Sequence, residues 1–274
     1  MHLIVAKTVY SILIVCLFVS VNNGLPLLLS SSNLKNAHIC IVTAYRDKVS
    51  YVQQTTAALN HQLKKNANFT MSVIIVISDD DHHRSSNSAY YEKAFKLPNA
   101  SPLHSRQKTN GPDCETGEDT DPLPPCKVRQ QALDVVGALE QCYFSDMLSE
   151  WFVLMEDDFE PCANTTLKEL WQALQKQQTS NVKFVRFTQG GGGVAFPRAS
   201  VLPYVNFVRE HNREFPHDRM LTMTEWSALP DVVLPIHLFK HIGKVSTIAY
   251  RNSADYIRDY ASIRDNECGE PIHV

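Results

Sequence analysis

Trp151-Phe152-Val153-Leu154-Met155-Glu156-Asp157-Asp158 runs five apolar residues straight into three carboxylates. An apolar run of this length, without alternation, reads as a strand buried on both faces in a parallel sheet. Open α/β sheets bind ligands beyond the carboxyl ends of their strands, so acids placed there face a crevice and not the core. Three adjacent carboxylates repel one another unless a cation sits among them. All-oxygen ligands suit magnesium or manganese, ions that usually complete their shell with substrate phosphates and water. The octet therefore points to a metal-bound diphosphate. A plainer reading stands beside it: acids also follow a buried strand because the chain has reached solvent, and Asp158 suits a turn before Pro161.

Upstream, Ala37 to Ala44 reads as a first buried strand and Met71 to Ile77 as a second. Between them, Asp47 to Lys65 has the helical spacing, with Val49, Val52, Ala57, Leu59 and Leu63 as its apolar positions. Strand, helix, strand is the opening of a Rossmann-like unit. The second strand also ends in acids, Asp79, Asp80 and Asp81, which either share the crevice or open a solvated loop before His82-His83-Arg84. Residues 84–125 are polar and rich in Ser, Asn, Pro and Asp; a loop this long in a compact domain is functional, partly disordered or tied by a disulfide. Lys127 to Tyr143 returns to helical spacing and feeds the central strand. Arg129, in its first turn, is placed either to reach a diphosphate or to lie on the surface.

Downstream, the spacing predicts a helix over Thr165 to Gln175 capped by Asn164, a strand over Val182 to Phe187 and a helix over Ala199 to His211. Gln189-Gly190-Gly191-Gly192-Gly193-Val194-Ala195-Phe196-Pro197 reads as a loop, either a tight one that lets a ligand approach the backbone or a mobile connection. It is not a P-loop, because no Gly-Lys-Ser/Thr follows. Asp218 stands before an apolar segment where a helix can begin, and His241 closes a further apolar run beside Gly243. Alone, such a histidine is more often structural than a ligand. Imidazole can join carboxylates around manganese, however, so His241 gains weight from the earlier acids.

The 274 residues are 44% hydrophobic and 20% charged, with a net charge of -3 and no Lys/Arg run, which argues against a nucleic-acid partner. Thr8 to Val21 is almost wholly apolar after Lys7, the pattern of a secretory signal. Asn22-Asn23-Gly24 is a poor cleavage context, so residues 1–29 are expected to remain as a membrane anchor with a short stem, leaving 30–274 as a lumenal domain; a cleaved, secreted form is the alternative. Six cysteines besides Cys16 are an even set for such a compartment, and Cys114 and Cys126, which flank a short acidic loop, are the first pair to expect. Asn68, Asn99 and Asn164 each begin a glycosylation triplet.

Three separated segments carry a resemblance. Val153-Leu154-Met155-Glu156-Asp157-Asp158, then Pro216-His217-Asp218-Arg219-Met220-Leu221, then Leu238-Phe239-Lys240-His241-Ile242-Gly243-Lys244-Val245-Ser246 resemble the core motifs of the N-acetylglucosaminyltransferase IV family. They are similar also to those of the related N-acetylgalactosaminyltransferase of glycosylphosphatidylinositol anchors. The resemblance implies a Rossmann-like GT-A glycosyltransferase fold with a mixed, mostly parallel sheet, and an inverting transfer of N-acetylhexosamine from a UDP-sugar to a glycan or glycolipid acceptor. The setting it implies is the Golgi or ER lumen. By position, Asp157 and Asp158 would hold Mn2+ or Mg2+ and the diphosphate, His241 would be a further metal or phosphate contact, Glu156 would support them or touch the nucleotide, and Asp218 would be the acceptor-side base; apart from these motifs, Asp79 stands where an early acid often contacts the nucleoside in sugar-nucleotide enzymes. Arg219 departs from the aromatic residue usual after that aspartate, the spacing between Pro235 and Leu238 is one residue longer than usual, and the glycine run has no counterpart. Two other classes remain open at this level: a lumenal glycan-binding protein on the same fold, and a metal-dependent phosphohydrolase or nucleotidyltransferase.

Overall fold

The computed structural model describes residues 37–44, 49–65, 71–78, 100–102, 109, 124–145, 148–177, 179–188, 193–242 and 268–272. Its strands are β1 (Ala37–Ala44), β2 (Met71–Ser78), β3 (Ala100–Pro102), β4 (Trp151–Glu156), β5 (Phe159–Pro161), β6 (Phe184–Arg186), β7 (Gly193–Pro197), β8 (Asp231–Val233) and β9 (Phe239–His241). Seven of them form one sheet in the order β3-β2-β1-β4-β7-β6-β8, and β5 pairs with β9 in a small second sheet. β1 is parallel to β2 and β4, β2 to β3 and β6 to β8, while β7 runs antiparallel between β4 and β6. This is the mixed, mostly parallel α/β sheet expected from the sequence. The chain leaves β1 through β2 and β3 on one side and returns as β4 on the other. Its topological switch, and the crevice that such a switch creates, therefore lie between the carboxyl ends of β1 and β4.

Among the described residues five helices cover the sheet: α1 (Val49–Lys65), α2 (Cys126–Ser145), α3 (Thr166–Lys176), α4 (Arg198–His211) and α5 (His217–Thr222). Alternation along the strands divides the core in two. On one face Ile39, Ile41, Val153, Met155 and Ala195 pack with Val52 and Leu59 of α1 and with Leu167, Leu170, Trp171 and Leu174 of α3. On the other, Cys40, Phe152, Leu154, Val194 and Phe196 pack with Val135, Val136 and Leu139 of α2 and with Val201, Tyr204 and Val205 of α4. Coverage on both sides is why β4 has no polar residue before Glu156. Each buried Leu, Val or Phe contributes roughly 1.5–3 kcal/mol, so packing holds these helices more than their propensity does.

Two readings change. The stretch expected to be only a glycine-rich loop becomes strand β7 from Gly193 onward: Val194, Ala195 and Phe196 are buried and fill the slot between β4 and β6. Helix α3 is capped at Thr165 and not Asn164, and no side-chain cap bond is made; Thr165 Oγ1 donates instead to Glu169 Oε1 at 2.7 Å. Disulfides join Cys40 to Cys142 and Cys162 to Cys268. Cys126 is also disulfide-bonded, and the pairing expected for it, with Cys114, lies outside the described residues. The expected anchor over residues 1–29 and most of the 84–125 loop lie outside them too. Among the described residues no helix is long and apolar enough to cross a membrane.

Candidate metal and substrate site

Glu156 is the last residue of β4, and a turn through Asp157 and Asp158 leads directly into β5. β5 and β9 then pair antiparallel, with Phe159 opposite His241. Backbone bonds fix that short ladder: Ile242 N donates to Asp158 O at 2.8 Å and Cys162 N to Leu238 O at 3.0 Å. His241 Nε2 consequently stands 3.2 Å from Asp158 Oδ2, and the Phe159 ring meets the imidazole edge-on at 5.3 Å. One ligand atom each from Glu156, Asp158 and His241 lie within 4.8 Å of one another. Asp158 is 1% exposed, a burial that costs a carboxylate heavily unless positive charge faces it.

The surroundings hold this group rigid. Thr55 of α1 donates Oγ1 to Asp157 O at 2.8 Å, tying the acidic turn to the helix that follows β1. Thr188 donates Oγ1 to Phe239 O at 3.1 Å and meets His237 Nδ1 at 3.2 Å, which anchors the start of β9. Lys240 Nζ lies 3.0 Å from Glu160 Oε2 across the β5-β9 pair. That hydrogen bond holds the Glu160 carboxyl below its ordinary value against the opposing effect of burial, with Gln54 and the lysine's charge adding smaller contributions.

A second group lies at the carboxyl end of β6. Asp218 is in the first turn of α5, where its Oδ1 accepts from Arg219 N at 2.9 Å. α5 is fastened to the sheet from three directions. Tyr204 donates its hydroxyl to His217 O at 3.0 Å, Trp226 Nε1 donates to Met220 O at 3.1 Å and Leu221 O at 3.2 Å, and Lys183 Nζ reaches Thr222 O at 3.4 Å. Burial pushes the Tyr204 phenol well above its ordinary value, and the charge of Asp218 adds to this. Arg186, the last residue of β6, is half-buried. Desolvation lowers its pKa, while the charges of Asp231, Asp218 and Tyr204 act the other way.

The acids expected at the site are thus sorted by the structure. Glu156, Asp158 and His241 come together, whereas Asp157, only 2% exposed, is not among the grouped ligand atoms. Arg129 is fully buried in the first turn of α2, away from the solvent surface. Asp79 to Asp81 and Gly190 to Gly192 lie outside the described residues. Reading by pattern missed Thr188 and Arg186. For Arg186 a signal exists, a charge set inside the buried run Phe184-Val185-Arg186-Phe187.

No protein-family model matches the chain, and neither does any curated protein sequence. Among solved structures, the chain is similar to the mannosyltransferase PcManGT from Pyrobaculum calidifontis in complex with GDP-Man and Mn2+, at 13% identity and a TM-score of 0.42, over 79% of this chain and 59% of that one. It is similar also to a glycosyltransferase involved in glycosylation of the major capsid of PBCV-1, at 10% identity and a TM-score of 0.46, over 77% of this chain and 94% of that one. Mouse xyloside xylosyltransferase 1 matches at 7% identity and a TM-score of 0.45, over 86% of this chain and 95% of that one. At these scores the likenesses carry no argument about activity, and the fold class rests on the strand order itself.

Proposed function

We propose that this chain is a metal-dependent inverting glycosyltransferase of GT-A form. In this reading it moves an N-acetylhexosamine from a UDP-sugar to a glycan or glycolipid acceptor in the Golgi or ER lumen, held to the membrane by its amino-terminal segment. The observation that carries the reading is the convergence of Glu156, Asp158 and His241 at the carboxyl end of β4, beside the topological switch. The donor set fits: two carboxylates suit magnesium or manganese, and the imidazole favours manganese of the two. Three protein ligands also leave positions for phosphate oxygens and water. When bound, the ion supplies positive charge to the departing diphosphate.

The chain's own residues account for the rest of the reaction. Asp218 takes the proton of the acceptor hydroxyl as its oxygen bonds to the anomeric carbon; the bond from that carbon to the diphosphate oxygen breaks, and its electron pair leaves with UDP. Fastening α5 at Tyr204, Trp226 and Lys183 keeps the carboxylate from wandering, which is the condition for orientation to count in the rate. The N-acetylhexosamine, the acceptor class and the lumenal setting are supported by the motif resemblance and, for the setting, by the disulfides.

Purified full-length protein titrated with a panel of nucleoside-diphosphate sugars, with and without Mn2+, tests the reading. One UDP-sugar is expected to bind only with the ion, and Asp158→Ala is expected to abolish that binding. A folded protein that binds none of the panel under either condition would falsify the transferase.

A further inference from the structure

Arg186 lays its guanidinium over the Phe184 ring at 5.7 Å, and its charge is felt by Asp218. Among the described residues Arg186 Nε is buried without a hydrogen-bond partner, and the guanidinium lies within electrostatic reach of both Asp218 and Asp231 while closing on neither as an ion pair. A desolvated donor left unmade costs about 1–3 kcal/mol, so folding alone gives no reason to hold it apart from two carboxylates.

Its position relative to the metal ligands follows from register. Phe152 and Leu154 of β4 and Phe184 of β6 point to the face covered by α2, α4 and α5, and alternation puts Glu156 and Arg186 on that same face. Val194 of β7 is paired with Leu154 on one side and Arg186 on the other. With strands ~4.8 Å apart and ~3.3 Å per residue, the Glu156 and Arg186 backbones are roughly 12 Å apart along the carboxyl edge of the sheet. A sugar attached to a diphosphate spans such a gap.

We propose that Arg186 and Asp218 form the acceptor subsite, taking one neutral sugar hydroxyl between guanidinium and carboxylate; this rests on the transferase reading and deepens it. A hydroxyl donates one hydrogen bond and accepts two, so it satisfies an arginine N–H and a carboxylate at once. An anionic group is the poorer fit, because Asp218 and Asp231 together already exceed the single positive charge. Arg186 acts here as a positioning residue: it holds the hydroxyl oxygen while Asp218 faces the proton.

The test uses the full chain labelled with 15N-arginine, with the Arg186 Nε–H resonance identified by its disappearance in Arg186→Lys, a change that retains the charge. Methyl glycosides of galactose, mannose, N-acetylglucosamine and N-acetylgalactosamine are added in the presence of UDP and Mn2+. One glycoside is expected to shift the Arg186 signal, and Asp218→Asn to weaken that glycoside about tenfold while changing UDP affinity less than about twofold. Asp218 is half-exposed on α5, so its variant keeps the test open should Arg186→Lys melt early. UDP binding with no response to any glycoside would overturn the subsite and leave the transferase standing. A shift of the Arg186 signal by UDP and Mn2+ alone, with loss of UDP affinity in Arg186→Lys, would also overturn it by assigning the guanidinium to the donor. Wild-type protein that binds no UDP would sink the transferase reading and the subsite with it.

Discussion

Asp158 and His241 face each other at 3.2 Å, while Asp157 offers its carbonyl to Thr55, so adjacent acids in one turn are expected to respond differently to substitution. His241→Ala removes one of three ligands. It is expected to weaken Mn2+ by at least the ~10–100-fold that supporting residues around metals typically carry, measured by the paramagnetic signal of free Mn2+. Asp157→Asn is expected to leave that affinity within about twofold, since the grouped atoms do not include Asp157. Equal losses in the two variants would return Asp157 to the ligand set. Tyr204 offers a second contrast. Its phenol is buried and its pKa raised, so above the ordinary value of ~10 the unfolded chain releases a proton that the folded chain keeps. Stability from this group is complete below that value and falls as pH rises toward the folded one. Tyr204→Phe is expected to cost about 1 kcal/mol at neutral pH, through loss of the bond to His217 O, and to flatten the decline above pH ~10, both read from urea midpoints.

β7 shows at the level of elements how a local pattern can mislead. A Cβ at Gly193 would come within 1.8 Å of Thr188 Cγ2, and Thr188 is held by its bonds to Phe239 O and His237. Gly193→Ala is therefore expected to destabilise by at least the ~1–3 kcal/mol typical of overpacking, in a denaturant titration, and to disturb β9 and its His241 as Thr188 is pushed aside. Adding Thr188→Ala should recover part of that loss; no recovery would place the cost elsewhere. The glycine was legible as unusual, but its reason was not, because Thr188 makes the close approach only after β6 and β7 pair. β1, β4 and the long helices were legible because burial on two faces or one writes itself as continuous or periodic apolar residues. β5, β8 and β9 span three residues each and leave no period to read. For the same reason the acids were found from the end of β4, whereas the exchange of Glu156 for Asp157 in the grouped set depended on a turn that pattern does not describe. Arg186 and Asp218 are 32 positions apart, and only the packing of α5 on the sheet brings their charges into reach.

The two described disulfides act over the whole chain, each closing a loop of about a hundred residues: Cys40–Cys142 has a separation of 102 and Cys162–Cys268 one of 106. The first joins β1 to α2 within the core. The second secures the segment at residues 268–272, where Gly269 N donates to His237 O at 3.3 Å, His237 N donates to Glu270 O at 2.9 Å, and Ile236 bridges to Pro271. His237 is also the partner of Thr188, and four residues later the chain reaches His241. This gives the second disulfide two separable effects. Through the unfolded state, a loop of this length is worth roughly 4–5 kcal/mol of stability. Through the folded state, it keeps the carboxyl-terminal segment against the strand that carries a metal ligand. A Cys162→Ser, Cys268→Ser double variant is expected to unfold at markedly lower urea and also to bind Mn2+ more weakly under conditions where it is still folded. The matching variant at Cys40 and Cys142 should lose stability without that loss of affinity, because both cysteines pack in the core on the α2 face, whereas Phe159 of β5 and Phe239 of β9 pack in the core on the other. Equal Mn2+ affinity in both folded variants would show that the carboxyl-terminal clamp stabilises the chain without setting the position of His241.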